Sequence, residues 1–192
     1  MDQIQFYLRE VSQLASAMPV AAIRRVVDRL LTAYEEERRL ILLGNGGSAA
    51  TASHLVADFQ KMIYLEGGKP FRAMACTDSM PLVTAWANDT DYSGVFAEQV
   101  RTWAEPDDVV LAISGSGNSP NVLRAVEVAR ERGATTIGLS GFSGGKLASL
   151  VDLSIVVPCD NMQRIEDLHM ILGHLFFWRM LQAVKERRGS HS

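Results

Sequence analysis

His54 and Asp58 stand four residues apart, a spacing that puts both side chains on one face of a helix. Far downstream, Glu166, Asp167, His169 and His174 share a second helical stretch. Imidazole nitrogens and carboxylate oxygens are the donors that hold zinc, and the same groups move protons near neutral pH. Alone, His174 in Leu172-Gly173-His174-Leu175 reads as a core or interface histidine. Together with His54, Asp58 and a carboxylate of its own helix it makes two histidines and two carboxylates on two helices, a set that can hold one zinc ion. At about 100° per residue, Glu166 and His174 lie roughly 80° apart around the helix axis, while Asp167 is nearly in line with His174. Asp167 is therefore a secondary candidate.

Two loops carry a different chemistry. Gly44-Asn45-Gly46-Gly47-Ser48 follows an apolar run and opens directly into an alanine-rich helix. Glycines let the backbone approach a ligand and adopt positive φ. Ser48 is expected as the N-cap, and the free amides of the first turn make an anion site. The spacing is not that of a dinucleotide-binding fingerprint or a Walker loop. Ser114-Gly115-Ser116-Gly117-Asn118-Ser119-Pro120 is the second loop, with Ser119 expected as N-cap and Pro120 as the first helical residue. Its three hydroxyls and its amides suit a phosphate without any cation. Either loop alone could be only a turn. If their strands are neighbours, both open into one crevice beyond the carboxyl ends of the sheet, and the pair argues for a sugar phosphate.

The elements that must position these groups are legible in the periodicity. Ile4, Leu8, Val11, Leu14 and Ala15 repeat at helical spacing, Met18-Pro19 interrupts, and Ile23, Val26, Val27, Leu30 and Leu31 form a second helical face. The charged run 35–39 reads as its solvated end. Short apolar runs at 40–43, 71–76, 109–113, 135–139 and 153–157 then alternate with helices at about 48–63, 79–103 in two pieces, 119–132, 144–150 and 162–187. That alternation predicts an α/β fold with a parallel sheet and right-handed crossovers. The division expected is a single domain over 1–192, with a helical extension at 1–38 and an α/β core at 39–192. The glycine-rich loop 140–146 reads as a connection to a short helix.

Composition excludes several classes. A net charge of −3 over 192 residues gives no field for nucleic acid. Cys76 and Cys159, the only cysteines, form no disulfide framework and are expected at the ends of buried strands. Residues 1–5 lack the features of a signal peptide, and the apolar stretch 168–178 is far short of the roughly 20 residues of a membrane span. A cytoplasmic protein without membrane or direct nucleic-acid contact is expected.

The two loops, seventy residues apart, resemble those of the SIS (sugar isomerase) domain. Over nearly its whole length, including the first two helices and the closing one, the chain resembles the phosphoheptose isomerase family. This implies a flavodoxin-like sheet in the order 2-1-3-4-5, and a homotetramer with sites at subunit interfaces. It also implies isomerisation of sedoheptulose 7-phosphate to a heptose 7-phosphate. Such a reaction needs a base, an acid for the oxygen and a stabiliser of the oxyanion, which a metal can be. By the same resemblance Ser48, Ser114, Ser116 and Ser119, with Gly46, Gly47 and Gly115, hold the phosphate, and Asn45 touches the sugar. Asn88-Asp89 is similar to a substrate-side pair, or else simply ends a helix. Zinc-binding members use a His, a Glu four residues on, a Gln, and a His eight residues after it. The matching positions are His54, Asp58, Glu166 and His174, which implies one zinc per site, with His174, Glu166 and Asp58 as the acid/base groups. Asp58 is one methylene shorter than the family's glutamate, and Glu166 adds a charge where the family has glutamine. Glu166 could take over as base with Asp58 kept as ligand. Arg164 could meet a phosphate or pair with Glu166. The alternative is a non-catalytic SIS protein that binds a sugar phosphate or a partner protein, as a regulator or in replication initiation. The shortened Asp58 speaks for it, and the two histidines speak against it.

Overall fold

The computed structural model describes residues 2–189. Two helices, α1 (Gln3–Ser16) and α2 (Val20–Glu35), flank the expected break at Met18-Pro19. Next come β1 (Arg39–Gly44), α3 (Gly47–Ala57), one π-helical turn (Asp58–Met62), the short α4 (Ile63–Leu65) and β2 (Arg72–Ala75). The chain continues through α5 (Met80–Asp89), α6 (Ala97–Trp103), β3 (Val109–Ser114) and α7 (Pro120–Glu131). It then forms β4 (Thr135–Ser140), α8 (Leu147–Leu150), β5 (Leu153–Val156) and α9 (Met162–Gly189). The five strands are parallel in the order β2-β1-β3-β4-β5, which is the order the resemblance implied.

Alternation along β1 explains the layers. Leu40 and Leu42 face one core with α2, α3 and α9, while Ile41 and Leu43 face the other with α6 and α7. Every residue of β3 is buried, as a central strand covered on both faces requires. The order of strands also puts β1 beside β3, so the strand order reverses there and both glycine loops leave the carboxyl ends of the sheet into one crevice.

The first two helices differ in kind. Ile23, Val26, Val27 and Leu30 of α2 are buried in the main core, so α2 is one of the layers of the domain. No residue of α1 is buried, and Ile4 and Leu8 are 69% and 64% exposed. Among the described residues no helix is long and apolar enough to cross a membrane. Cys76 is buried just past β2, as expected, whereas Cys159 is half-buried three residues beyond β5, a strand with one buried residue.

Two expectations need correction. Helix α8 begins at Leu147 rather than 144, because Gly144 and Gly145 have φ of 92° and 55°, outside helical space. The charged run 35–39 is not wholly a solvated surface. Arg39 opens β1, and its amide donates to the carboxylate of Asp108 at 2.7 Å, a group only 2% exposed.

Candidate active site

The first loop is built around glycine. Gly46 has φ 55° and is itself the N-cap, and its carbonyl accepts from the amides of Ala49 and Ala50. Ser48 is therefore not the expected N-cap. The positive-φ turn at Gly46 starts the helix two residues earlier and leaves Ser48 buried inside the first turn. A Cβ on Gly44 would sit 2.7 Å from that of Ser48 and 2.8 Å from the carbonyl oxygen of Ile113, so glycine is required for α3 to descend onto β1 and β3.

The second loop keeps its expected caps by position. Ser119 precedes Pro120 at the start of α7, but its hydroxyl does not cap the helix and lies 3.2 Å from that of Ser114. Ser116 Oγ accepts from the amide of Asn118, and the Gly117 amide donates to the carbonyl of Ser114. The 140–146 loop does more than connect. The amides of Gly141 and Leu147 donate to the carbonyls of Gly115 and Gly117, and Lys146 donates its amide to Asn118 Oδ1 at 3.1 Å. A Cβ on Gly145 would lie 2.5 Å from the Ser116 carbonyl oxygen, so this third loop buttresses the second at backbone contact.

Asn45 and Asn121 join the two loops. Their amides pair reciprocally at 2.9 Å in each direction, and the hydroxyl of Tyr92 donates to Asn45 Oδ1 at 3.0 Å. Beside them lies a cavity of about 480 Å³ walled by Gly44, Asn45, Ser53, Thr77, Tyr92 and α5. That volume is in the range of small-molecule sites. Asn121 and Tyr92 escaped the reading of the sequence. The one available signal was a polar amide placed two residues into α7, where a core-facing helix wants an apolar side chain. Asn88 and Asp89 are the exposed last residues of α5 and bond to each other at 2.8 Å.

The histidines meet as their types and spacing suggested. His54 Nε2 and His174 Nε2 are 2.8 Å apart, and Asp58 Oδ2 lies 3.4 Å and 3.8 Å from them. Asp58 opens the π turn, a widened turn of the sort found at functional sites. Helix contact makes the meeting possible. Gly173 of α9 packs on Leu55 of α3, the neighbours in sequence of His174 and His54. Four donors at about 2 Å from a tetrahedral zinc lie about 3.3 Å from one another. The two distances to Asp58 fit that spacing, and the histidine pair would open by about half an ångström. Three ligands with a fourth position left for water or substrate is the pattern of a catalytic zinc.

The remaining groups of α9 go elsewhere. Glu166 lies outside this trio among the described residues: its carboxylate packs on Gly47, where a Cβ would collide with it, and no hydrogen bond or ion pair joins it to another described residue. Asp167 accepts from the Tyr7 hydroxyl at 2.5 Å, a bond that raises the phenol's pKa above its ordinary value. Arg164 meets neither phosphate-competent loop nor Glu166. It pairs with Glu10 at 3.5 Å and stacks against Phe6 and Tyr7, fastening α1 to α9. His169 is fully buried, bonded to the Ser140 carbonyl at 3.1 Å, and burial pushes its pKa down to about 4, so it is neutral and structural. Met162, Ile165 and Glu166 press on Gly115, Gly141 and Gly47, so the first turns of α9 roof three strand ends at once.

Comparison with known proteins identifies the family. Residues 6–141 match the model of the SIS domain. The chain is 34% identical over 190 residues to a phosphoheptose isomerase of Aquifex aeolicus, covering 97% of this chain and 99% of that one. It is 40% identical over 157 residues to one from Thermodesulfovibrio yellowstonii, covering 81% and 77%. A solved phosphoheptose isomerase from Francisella tularensis superposes with a TM-score of 0.88 at 31% identity, over 94% of this chain and 97% of that one.

Proposed function

Since the chain belongs to the phosphoheptose isomerases of the SIS-domain family, we infer that it converts sedoheptulose 7-phosphate to D-glycero-D-manno-heptose 7-phosphate by aldose–ketose isomerisation. The observation that carries this reading is the meeting of His54, Asp58 and His174 on the two helices that also border the glycine loops. The phosphate is assigned to Ser48, Ser114, Ser116 and Ser119 with the amides of both helix starts. A chain with net charge −3 has no bulk attraction for an anion, so local hydroxyls and amides must hold it.

The reaction moves one proton between neighbouring carbons. A base takes the C1 proton of the ketose, the C–H electron pair forms the C1–C2 double bond, and the carbonyl pair moves to O2 as an enediolate. Return of a proton to C2 and transfer of the O1 proton to O2 give the aldose. Glu166 is assigned the carbon-to-carbon transfer, because its carboxylate is free of competing bonds and lies at the first loop. Asp58, shorter than the family's glutamate, is assigned with His54 and His174 to one zinc, which when bound supplies a Lewis acid for the developing oxyanion. Free of metal, His174 can relay the proton between O1 and O2. With Nε2 committed to a metal it orients, and Glu166 carries both transfers. Exposure of Ile4 and Leu8 on α1, with the family resemblance, supports a homotetramer, and the same reading puts the protein in the cytoplasm.

Turnover of sedoheptulose 7-phosphate by the purified protein, with metal content measured on the same sample, is the test. The wild type should form the aldose, and His174→Ala should lose at least about 100-fold in rate. No product from wild type supplied with zinc would sink the assignment.

A further inference from the structure

Orientation of the amide pair can be worked out from one backbone bond. The amide of Val122 donates to Asn121 Oδ1 at 3.0 Å, which identifies that atom as oxygen and leaves Asn121 Nδ2 as the donor. The atom it meets on Asn45, at 2.9 Å, is therefore Oδ1. Tyr92 donates its hydroxyl to the same oxygen at 3.0 Å, so both acceptor sites of Asn45 are filled. Asn45 Nδ2 spends one hydrogen on Asn121 Oδ1 at 2.9 Å and has one left. Asn121 is only 2% exposed, whereas Asn45 is half-buried and borders the 480 Å³ cavity.

We propose that Asn121 and Tyr92 are positioning residues that lock the Asn45 amide so that it offers the substrate one N–H donor and no acceptor. The ligand atom recognised there is a hydroxyl or carbonyl oxygen of the sugar. This rests on the phosphosugar reading above. The lock acts on the sugar alone, because the phosphate falls to the serines and helix amides. Without Asn121 the Asn45 amide is free to turn and the prearranged donor is lost; without the Tyr92 hydroxyl the amide keeps its Asn121 pair but is held by two bonds instead of three. Loss of one neutral hydrogen bond corresponds to a factor of up to about ten in binding.

The experiment compares two ligands on three proteins. Wild type, Asn121→Ala and Tyr92→Phe are titrated calorimetrically with sedoheptulose 7-phosphate and with inorganic phosphate, and KM and kcat are measured in parallel. Both variants should weaken the sugar phosphate, by about tenfold for Asn121→Ala and several-fold for Tyr92→Phe. Inorganic phosphate should stay within about twofold of wild type, and the kinetic loss should fall in KM. Equal weakening of both ligands would assign Asn121 to loop integrity and overturn the proposal, as would unchanged sugar-phosphate affinity. Tyr92 is 55% exposed, so its variant reports even if Asn121→Ala folds poorly. Binding without turnover in wild type would overturn the isomerase reading, while the comparison of the two ligands still decides this one.

Discussion

Replacing Gly173 with alanine puts a methyl group into the α3–α9 contact. Its Cβ would lie 2.6 Å and 2.7 Å from the two Cδ atoms of Leu55 and 3.1 Å from Cγ. Carbon atoms in good contact stand about 3.5–4.0 Å apart, so the helices must separate by about 1 Å. Leu55 is fully buried and cannot swing into solvent. The displacement falls on the flanking residues, His174 and His54, now 2.8 Å apart at Nε2. A misplacement of about 1 Å at reacting groups costs about 100-fold in rate, and metal sites tolerate about 0.2 Å. The stability cost of such overpacking is about 1–3 kcal/mol. Isomerase turnover and zinc affinity by calorimetry should therefore fall together while the variant stays folded. Adding Leu55→Ala removes all three crowded atoms and should restore most of the rate at lower stability. Wild-type rate and metal affinity in Gly173→Ala, or no recovery in the double variant, would refute the argument.

Other outcomes follow from burial and contact. His169 is held neutral in the fold near pKa 4, against about 6.5 unfolded, so its contribution is full above pH 6.5 and is lost as pH falls toward 4. The loss is about 3 kcal/mol, read as the difference in urea stability between wild type and His169→Gln at pH 7 and pH 4.5; parallel pH dependence would count against it. Burial pushes the Cys76 thiol up to about 12, so a thiol reagent at pH 8 should modify Cys159 alone in the native protein and both cysteines after unfolding. Rapid native labelling of Cys76 would contradict its burial. Gly47→Ala should displace the Glu166 carboxylate, lowering kcat by about 10- to 100-fold with zinc affinity unchanged; an unaltered kcat would remove Glu166 from the role of base.

Strands and their succession were readable because a buried parallel strand is an uninterrupted apolar run, and 109–113 or 135–139 can be little else. The meeting of His54 and His174 was readable as chemistry but not as distance. It depends on Gly173, whose importance comes from a neighbour 118 positions away in the chain, Leu55. The helical wheel that kept Asp167 as a secondary candidate ignored height. Seven residues climb about 10.5 Å, so groups on one stripe of α9 face different elements: α1 for Asp167, α3 for His174. Ser48 was misread as the cap because capping preference is a local rule, and the positive φ at Gly46 answers to the packing of α3 on β1. The roles of Asn121 and of loop 140–146 are contacts across the sheet, for which linear spacing has no symbol.

The roof made by α9 sets an order of events during synthesis. All five strands, both serine-bearing loops and the His54–Asp58 pair leave the ribosome before Met162, Ile165 and Glu166 can press on their three glycines. Until residue 174 emerges, the nascent chain carries two of the three groups of the His54–Asp58–His174 cluster and an open crevice. The completed cluster and the roofed crevice then arrive together, with the docking of a single helix, so a half-made chain presents neither.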